Sequence, residues 1–185
     1  IQNQEATQMG LFSKKPKELE YDTADCVNKK TRMRELFNEA LADGDTYEIL
    51  HATETSSKFE KGFVFNTNTT TFYYYILGYR KSDCKIVLVQ TDRELTRHSD
   101  AFFVDMDAVV NVYYNPKQIQ ACLIYKKGYS SYGEILTIED IGSKTMFGIA
   151  NMVQKEEREA FLDFLESVRS RLEQAGYKLD KWKRQ

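Results

Sequence analysis

The sequence predicts a mainly β domain: a barrel of about seven antiparallel strands, its open end plugged by a C-terminal helix, with an extra helix on the N-terminal side. Two observations carry this. Residues 46–152 read as short β-branched and aromatic segments separated by turns. Residues 155–175 then switch to a helical period. Phe161, Leu165, Val168 and Leu172 recur at spacings of four, three and four, and Phe164 widens the stripe. A long antiparallel meander does not stay flat. Twist and exposed edges drive it to close or to fold over itself.

The elements follow in order. Residues 1–20 are polar, lack periodicity and read as an unstructured tail. A first helix is expected over about 28–42, with Met33, Leu36, Phe37, Ala40 and Leu41 on one face. Asn28 suits its N-cap, and Asp43-Gly44-Asp45 stops it, with Gly44 fitting a left-handed position. Residues 47–53 form the first strand, and the polar stretch 54–61 reads as a loop. Residues 62–65 form a short strand or extend the next one. Residues 69–79 and 85–90 flank a turn at 80–83 and make a hairpin. A short strand begins at Phe102. Residues 108–114 and 118–125 flank Asn115-Pro116-Lys117, a second hairpin. Residues 126–133 read as a polar loop, 134–138 as a strand, 140–144 as a turn and 145–152 as the last strand.

A chain of 185 residues suits one core, so residues 21–176 are expected to form a single domain, followed by a basic tail at 177–185 around Trp182. Residues 1–8 read as an added or processed end, because Met9-Gly10-Leu11-Phe12-Ser13 looks like a natural start. The myristoylation pattern from Met9 is a near miss, with Lys14 where Ser or Thr belongs. The net charge of −2 gives no general pull toward nucleic acid. No stretch reaches the ~18 to 20 apolar residues of a membrane span. Three cysteines without paired spacing argue against a disulfide framework and for a reducing cytoplasm.

Five segments carry a family resemblance. Ile86-Val-Leu-Val-Gln-Thr-Asp-Arg93 is a strand running into Thr-Asp-Arg, and Asp105-Met-Asp-Ala-Val-Val-Asn-Val112 is an acidic step into the next strand. The strand at 145–152 and the helix at 156–172 close the pattern, and the helix-to-strand step at 36–52 opens it. Together these resemble bacterial pleckstrin-homology-like (PH-like) and GRAM-like domains. The rival is a cystatin-like or other α+β sheet-and-helix domain. The resemblance implies a scaffold whose members bind phosphoinositides, peptides or proteins, rather than a reaction. The lipid-binding pattern of that family wants Lys on the first strand and Lys/Arg-x-Arg on the second. Here the loop offers Lys58 and Lys61 against Glu54 and Glu60, and the second strand carries Phe72-Tyr73-Tyr74-Tyr75.

The residues point to no catalytic centre. His51 and His98 lack metal spacing, and no nucleophile elbow or phosphate-cradling glycine loop is present. Asp105 and Asp107 would share a strand face, where a solvated or turn-capping role is favoured. Tyr73 and Tyr75 share a face and Tyr74 takes the other. The candidate ligand-binding residues are Lys126, Lys127, Tyr129 and Tyr132, a basic, tyrosine-bearing loop suited to an interface. The expected function is a non-catalytic binding or adaptor module in a bacterial cytoplasm, without metal or cofactor, that takes a protein partner. The alternative is a peripheral module making weak contact with anionic lipid through its basic ends. Nucleic acid is not an expected partner, because basic and aromatic residues do not interleave in a stripe.

Overall fold

Alternation along the strands gives the sheet two apolar faces, and a different helix covers each. The computed structural model describes residues 23–61, 66–127, 130–138 and 152–179, with the backbone alone at 23, 60–61, 66–67, 126–127 and 130–132. Helix α1 (Thr23–Ala40) leads through a 3₁₀ turn (Gly44–Thr46) into seven strands. These are β1 (Glu48–Lys61), β2 (Asn66–Arg80), β3 (Lys85–Thr91), β4 (His98–Phe103), β5 (Val109–Asn115), β6 (Gln120–Lys127) and β7 (Ser130–Thr137). Helix α2 (Lys155–Gln174) follows. The strands are ordered β4-β3-β2-β1-β7-β6-β5, and every pairing is antiparallel.

Among the described residues the sheet is open rather than a closed barrel, with β4 and β5 at its edges. Helix α2 supplies the burial that strand closure would have supplied. Phe161, Leu162, Phe164, Leu165 and Val168 are buried against Leu50, Leu77, Ile86, Val112, Leu123 and Leu136, with Leu172 partly buried beside them. Tyr79 anchors this layer, its ring centroid 5.2 Å from Phe161 and 5.0 Å from Phe164. The Arg169 guanidinium, buried on α2, donates to the Val112 carbonyl at 2.6 Å and ties the helix to β5.

Helix α1 covers the opposite face of β2 and β3, packing Met33, Leu36 and Phe37 on Ile76, Val87 and Val89. Gly78 permits this approach. A Cβ there would lie 2.2 Å from Cζ of Phe37, so a larger residue would push the helix off the sheet. Helix α1 starts earlier than expected, so Asn28 lies inside it. Asp25 and Lys29 pair one turn apart, and buried Cys26 extends the packed face. Gly44 is not left-handed. It is needed for space, since a Cβ there would meet Asn38 Oδ1 at 2.4 Å.

Two expected loops are partly strand, and β4 begins earlier than Phe102. Residues 54–61 continue β1, paired with β2 from Glu54↔Tyr73 to Lys61↔Asn66. β3 pairs β2 only from Tyr74 onward, so this stretch is a two-stranded ribbon beyond the sheet. Each strand pairs the inward half of its backbone groups with the other and turns the rest outward, and Thr55 to Phe59 are exposed. The stretch 126–133 joins β6 and β7, with Lys126↔Ser131 and Lys127↔Ser130 in register. His98 opens β4, opposite Thr91. Asp105 precedes the β4–β5 turn and Asp107 lies within it, so they share no strand face, and the Ala108 N–H donates to the Asp105 carbonyl at 3.1 Å. The expected segments 1–20, 62–65 and 140–144, most of 145–152 and residues 180–185 lie outside the described residues; Met152 itself is in a bend.

The four-strand half β4-β3-β2-β1 joins the three-strand half β7-β6-β5 at one register pair, Thr53↔Thr137. Two residues back along β1, Gln154 takes the place of a neighbouring strand. Its side-chain oxygen accepts the His51 N–H at 2.9 Å, and its amide nitrogen donates to the His51 carbonyl at 3.0 Å. Both residues are buried, so an amide satisfies a ladder position that water cannot reach.

Leu165→Ala should cost about 2 to 5 kcal/mol, the range for a buried leucine. An unfolding midpoint that does not move would remove α2 from the core. Gln154→Leu should cost about 1 to 3 kcal/mol, because it strands two buried backbone groups. Gln154→Glu adds a pH test. Burial beside the His51 carbonyl favours the protonated acid, so its folded pKa lies above the unfolded ~4.3. Its stabilising contribution is then present below that value and lost as pH rises. Chemical denaturation should show the deficit of this variant against wild type growing from acid to neutral pH. An equal deficit at both would contradict the arrangement.

Candidate functional site at the mouth of the sheet

Along the concave face, each strand grades from apolar to polar as it leaves the cover of α2. On β1 the order is Leu50, Ala52, Glu54; on β2, Tyr79, Leu77, Tyr75; on β3, Ile86, Leu88, Gln90; on β7, Leu136 then Glu134, read toward the N-terminus. Helix α2 seals the apolar end. The polar ends converge on a cavity of about 260 Å³, completed by Ser99 and Phe102 of β4. Leu88 and Leu136 are buried, while Phe102 is 58% exposed at the rim.

The carboxylates in the mouth are positioned by tyrosines. Tyr75 Oη donates to Glu54 at 3.2 Å, and Tyr125 Oη donates to Glu134 at 2.8 Å. Burial, then the Glu54 carboxylate, pushes the Tyr75 phenol up to about 12, with Glu134 adding to the effect. A carboxylate offers about four lone-pair sites, so one tyrosine hydroxyl leaves most of that capacity for a ligand. No lysine or arginine lines the cavity among the described residues. The mouth can therefore accept hydrogen bonds and attract positive charge over an apolar floor.

A larger crevice, about 350 Å³, lies between α1, β1 and Met152. Its polar groups are engaged within the fold. Lys30 pairs with Glu157, and Arg34 donates to the Gly44 and Tyr47 carbonyls at 3.0 Å each. Gln154 is committed to His51. The mouth is the better candidate.

Of the sequence-predicted residues, Lys126, Lys127 and Tyr132 lie at the same end of the molecule. Lys126 and Lys127 end β6, and Tyr132 stands on β7 opposite Tyr125. Their side chains, and the whole of Tyr129, lie outside the described residues. Among those described, Tyr75 belongs to the mouth, whereas Tyr74 turns to the other face, its ring 6.2 Å from buried His51. Glu54, Glu134 and Phe102 were missed as site residues. Strand alternation signals their faces; their convergence needs the strand order. No three His, Cys, Asp or Glu side chains cluster for a metal among the described residues. The three cysteines are buried and form no disulfide, and burial pushes the Cys84 and Cys122 thiols up.

Compared with known families and with curated proteins, the sequence matches no family model and no curated protein.

Tyr75 supplies a probe of the mouth. In a ¹³C-tyrosine NMR titration its ring should remain protonated past ~10, where exposed tyrosines titrate. Glu54→Gln removes a carboxylate that raises the phenol, so the Tyr75 midpoint should fall. A Tyr75 midpoint at the ordinary value would contradict the hydrogen bond to Glu54.

Proposed function

We propose that this chain is a non-catalytic binding module for a protein partner, which adds an extended segment to the edge strand β4. The observation that carries this is β4 itself. It is an edge of the sheet, and its adjacent Phe102 and Phe103 are 58% and 49% exposed. Adjacent strand residues point to opposite faces, so two phenylalanines flank this edge, which no described strand pairs, on both sides. Native sheets usually protect such an edge with charge, proline or cover. Strand addition satisfies the edge backbone and covers both rings.

A seven-stranded antiparallel sheet with a C-terminal helix in its concave side supports the PH-like resemblance, and with it a scaffold role. A bacterial cytoplasm remains the proposed setting. Among the described residues no helix is long and apolar enough to cross a membrane. The acidic mouth weighs against anionic lipid at this end of the molecule.

Random-peptide display on the immobilised protein tests the reading. Selected peptides should be rich in β-branched and aromatic residues, and Phe102→Ser/Phe103→Ser should abolish their binding while keeping the fold by circular dichroism. Equal binding to that variant would refute strand addition at β4. Vesicles of acidic lipid should show at most weak association at ~0.15 M salt. Selective, salt-resistant uptake of one phosphoinositide would favour the lipid alternative instead.

A further inference from the structure

The mouth beside β4 narrows the chemistry of the partner. We infer that it receives a lysine or arginine side chain from the segment that pairs with β4. The inference rests on the strand-addition reading and adds the identity of one residue. A strand beside β4 lies about 4.8 Å away, so a side chain on its concave face stands next to Phe102, which lines the cavity. The cavity combines features that suit a long cationic side chain. Leu88, Leu136 and Phe102 offer an apolar surface for the aliphatic stem. Glu54 and Glu134 line the same cavity and provide acceptors for the charged head. Each is already oriented by a tyrosine hydroxyl, so binding need not order both carboxylates afresh.

A neutral apolar side chain fits this site poorly, because it would desolvate two carboxylates and return nothing to them. An acidic one would add like charge. A second copy of this chain is a weaker occupant, since His98–Phe103 carries no lysine or arginine to meet the carboxylates.

The experiment uses the full chain and a peptide selected on it by display. The selected sequences should share a basic residue that alternates with β-branched or aromatic neighbours. Replacing that residue by norleucine keeps the stem and deletes the charge. Calorimetry should show about a tenfold loss of affinity, ~1.4 kcal/mol. On Glu54→Gln/Glu134→Gln the preference for lysine over norleucine should fall to about twofold or less, with the unfolding midpoint confirming a folded variant. Higher salt should shrink the preference on wild type.

Peptides that need Phe102 and Phe103 but show no basic preference would overturn the inference and leave strand addition standing. A basic preference unchanged in Glu54→Gln/Glu134→Gln would also overturn it, by moving the cation elsewhere. Failure to select any peptide dependent on Phe102 and Phe103 would remove both. Self-association lost in Phe102→Ser/Phe103→Ser would assign the edge to a second copy and reject the cationic side chain.

Discussion

Strand β1 is the member on which the rest of the structure depends, because both halves of the sheet meet along it. On one side it pairs with β2 over its full length. On the other it contacts β7 at a single register pair and Gln154 at His51. A buried strand edge needs a partner for every N–H and C=O it presents. Here a side-chain amide supplies both complements at one position. The arrangement explains why the sheet stays open. A longer β1–β7 ladder would hold the halves side by side as one continuous surface. A short one lets them splay, and α2 fills the concavity with Phe161, Phe164 and Leu165. The mouth is what remains of that concavity past the end of the helix's cover.

Electrostatic contacts fasten the periphery more than the core. Arg80 donates to both Asp83 oxygens, at 2.9 and 2.8 Å, and to Asp43 at 2.7 Å, and it stacks 4.4 Å from the Tyr47 ring. That links the β2–β3 turn to the turn after α1. The Arg80 hydrogen bonds hold the Asp83 carboxyl well below the usual carboxylate range. A carboxyl lowered in the folded state stabilises it above the unfolded pKa, and the contribution is lost as pH falls through the folded pKa. Because the Asp43 side chain is half exposed and that of Asp83 about a third exposed, water screens the network, which fixes the turn geometry more than it adds stability.

What the sequence made legible was whatever one segment decides by itself. The α2 stripe needs only its own period, and Phe161, Leu165 and Val168 are buried as it requires. The Asn115-Pro116-Lys117 turn is likewise local, with the Lys117 N–H donating to Asn115 Oδ1 at 3.1 Å. The outer half of β1 was not legible. Glu54-Thr-Ser-Ser-Lys-Phe is exposed beyond Glu54, so no buried face imposes an alternation, and the segment reads as a loop. Open rather than closed topology was not legible either, since it depends on where β1 and β7 part. The mouth was hidden for the same reason. Glu54 and Glu134 are far apart in sequence and meet only through the β1–β7 neighbourhood. The basic residues 126 and 127 drew attention by composition, which is a local signal.

The two carboxylates also bear on what the mouth costs to keep. Placing acids against an apolar floor is unfavourable when they lose water without gaining donors. Tyr75 and Tyr125 each return one donor, and with Phe102 58% exposed at the rim solvent can reach the remaining lone pairs. Occupation by an apolar group would expel that water with no replacement, whereas a cation replaces it with charge-assisted hydrogen bonds. The same groups therefore favour one class of occupant and penalise others, which is how specificity arises from a difference of affinities. In the proposed reading affinity has a separate source in the β4 edge and the two exposed rings. The division makes physical sense for a recognition module. In the proposed reading the edge would tolerate many extended sequences, and the mouth would select among them by charge.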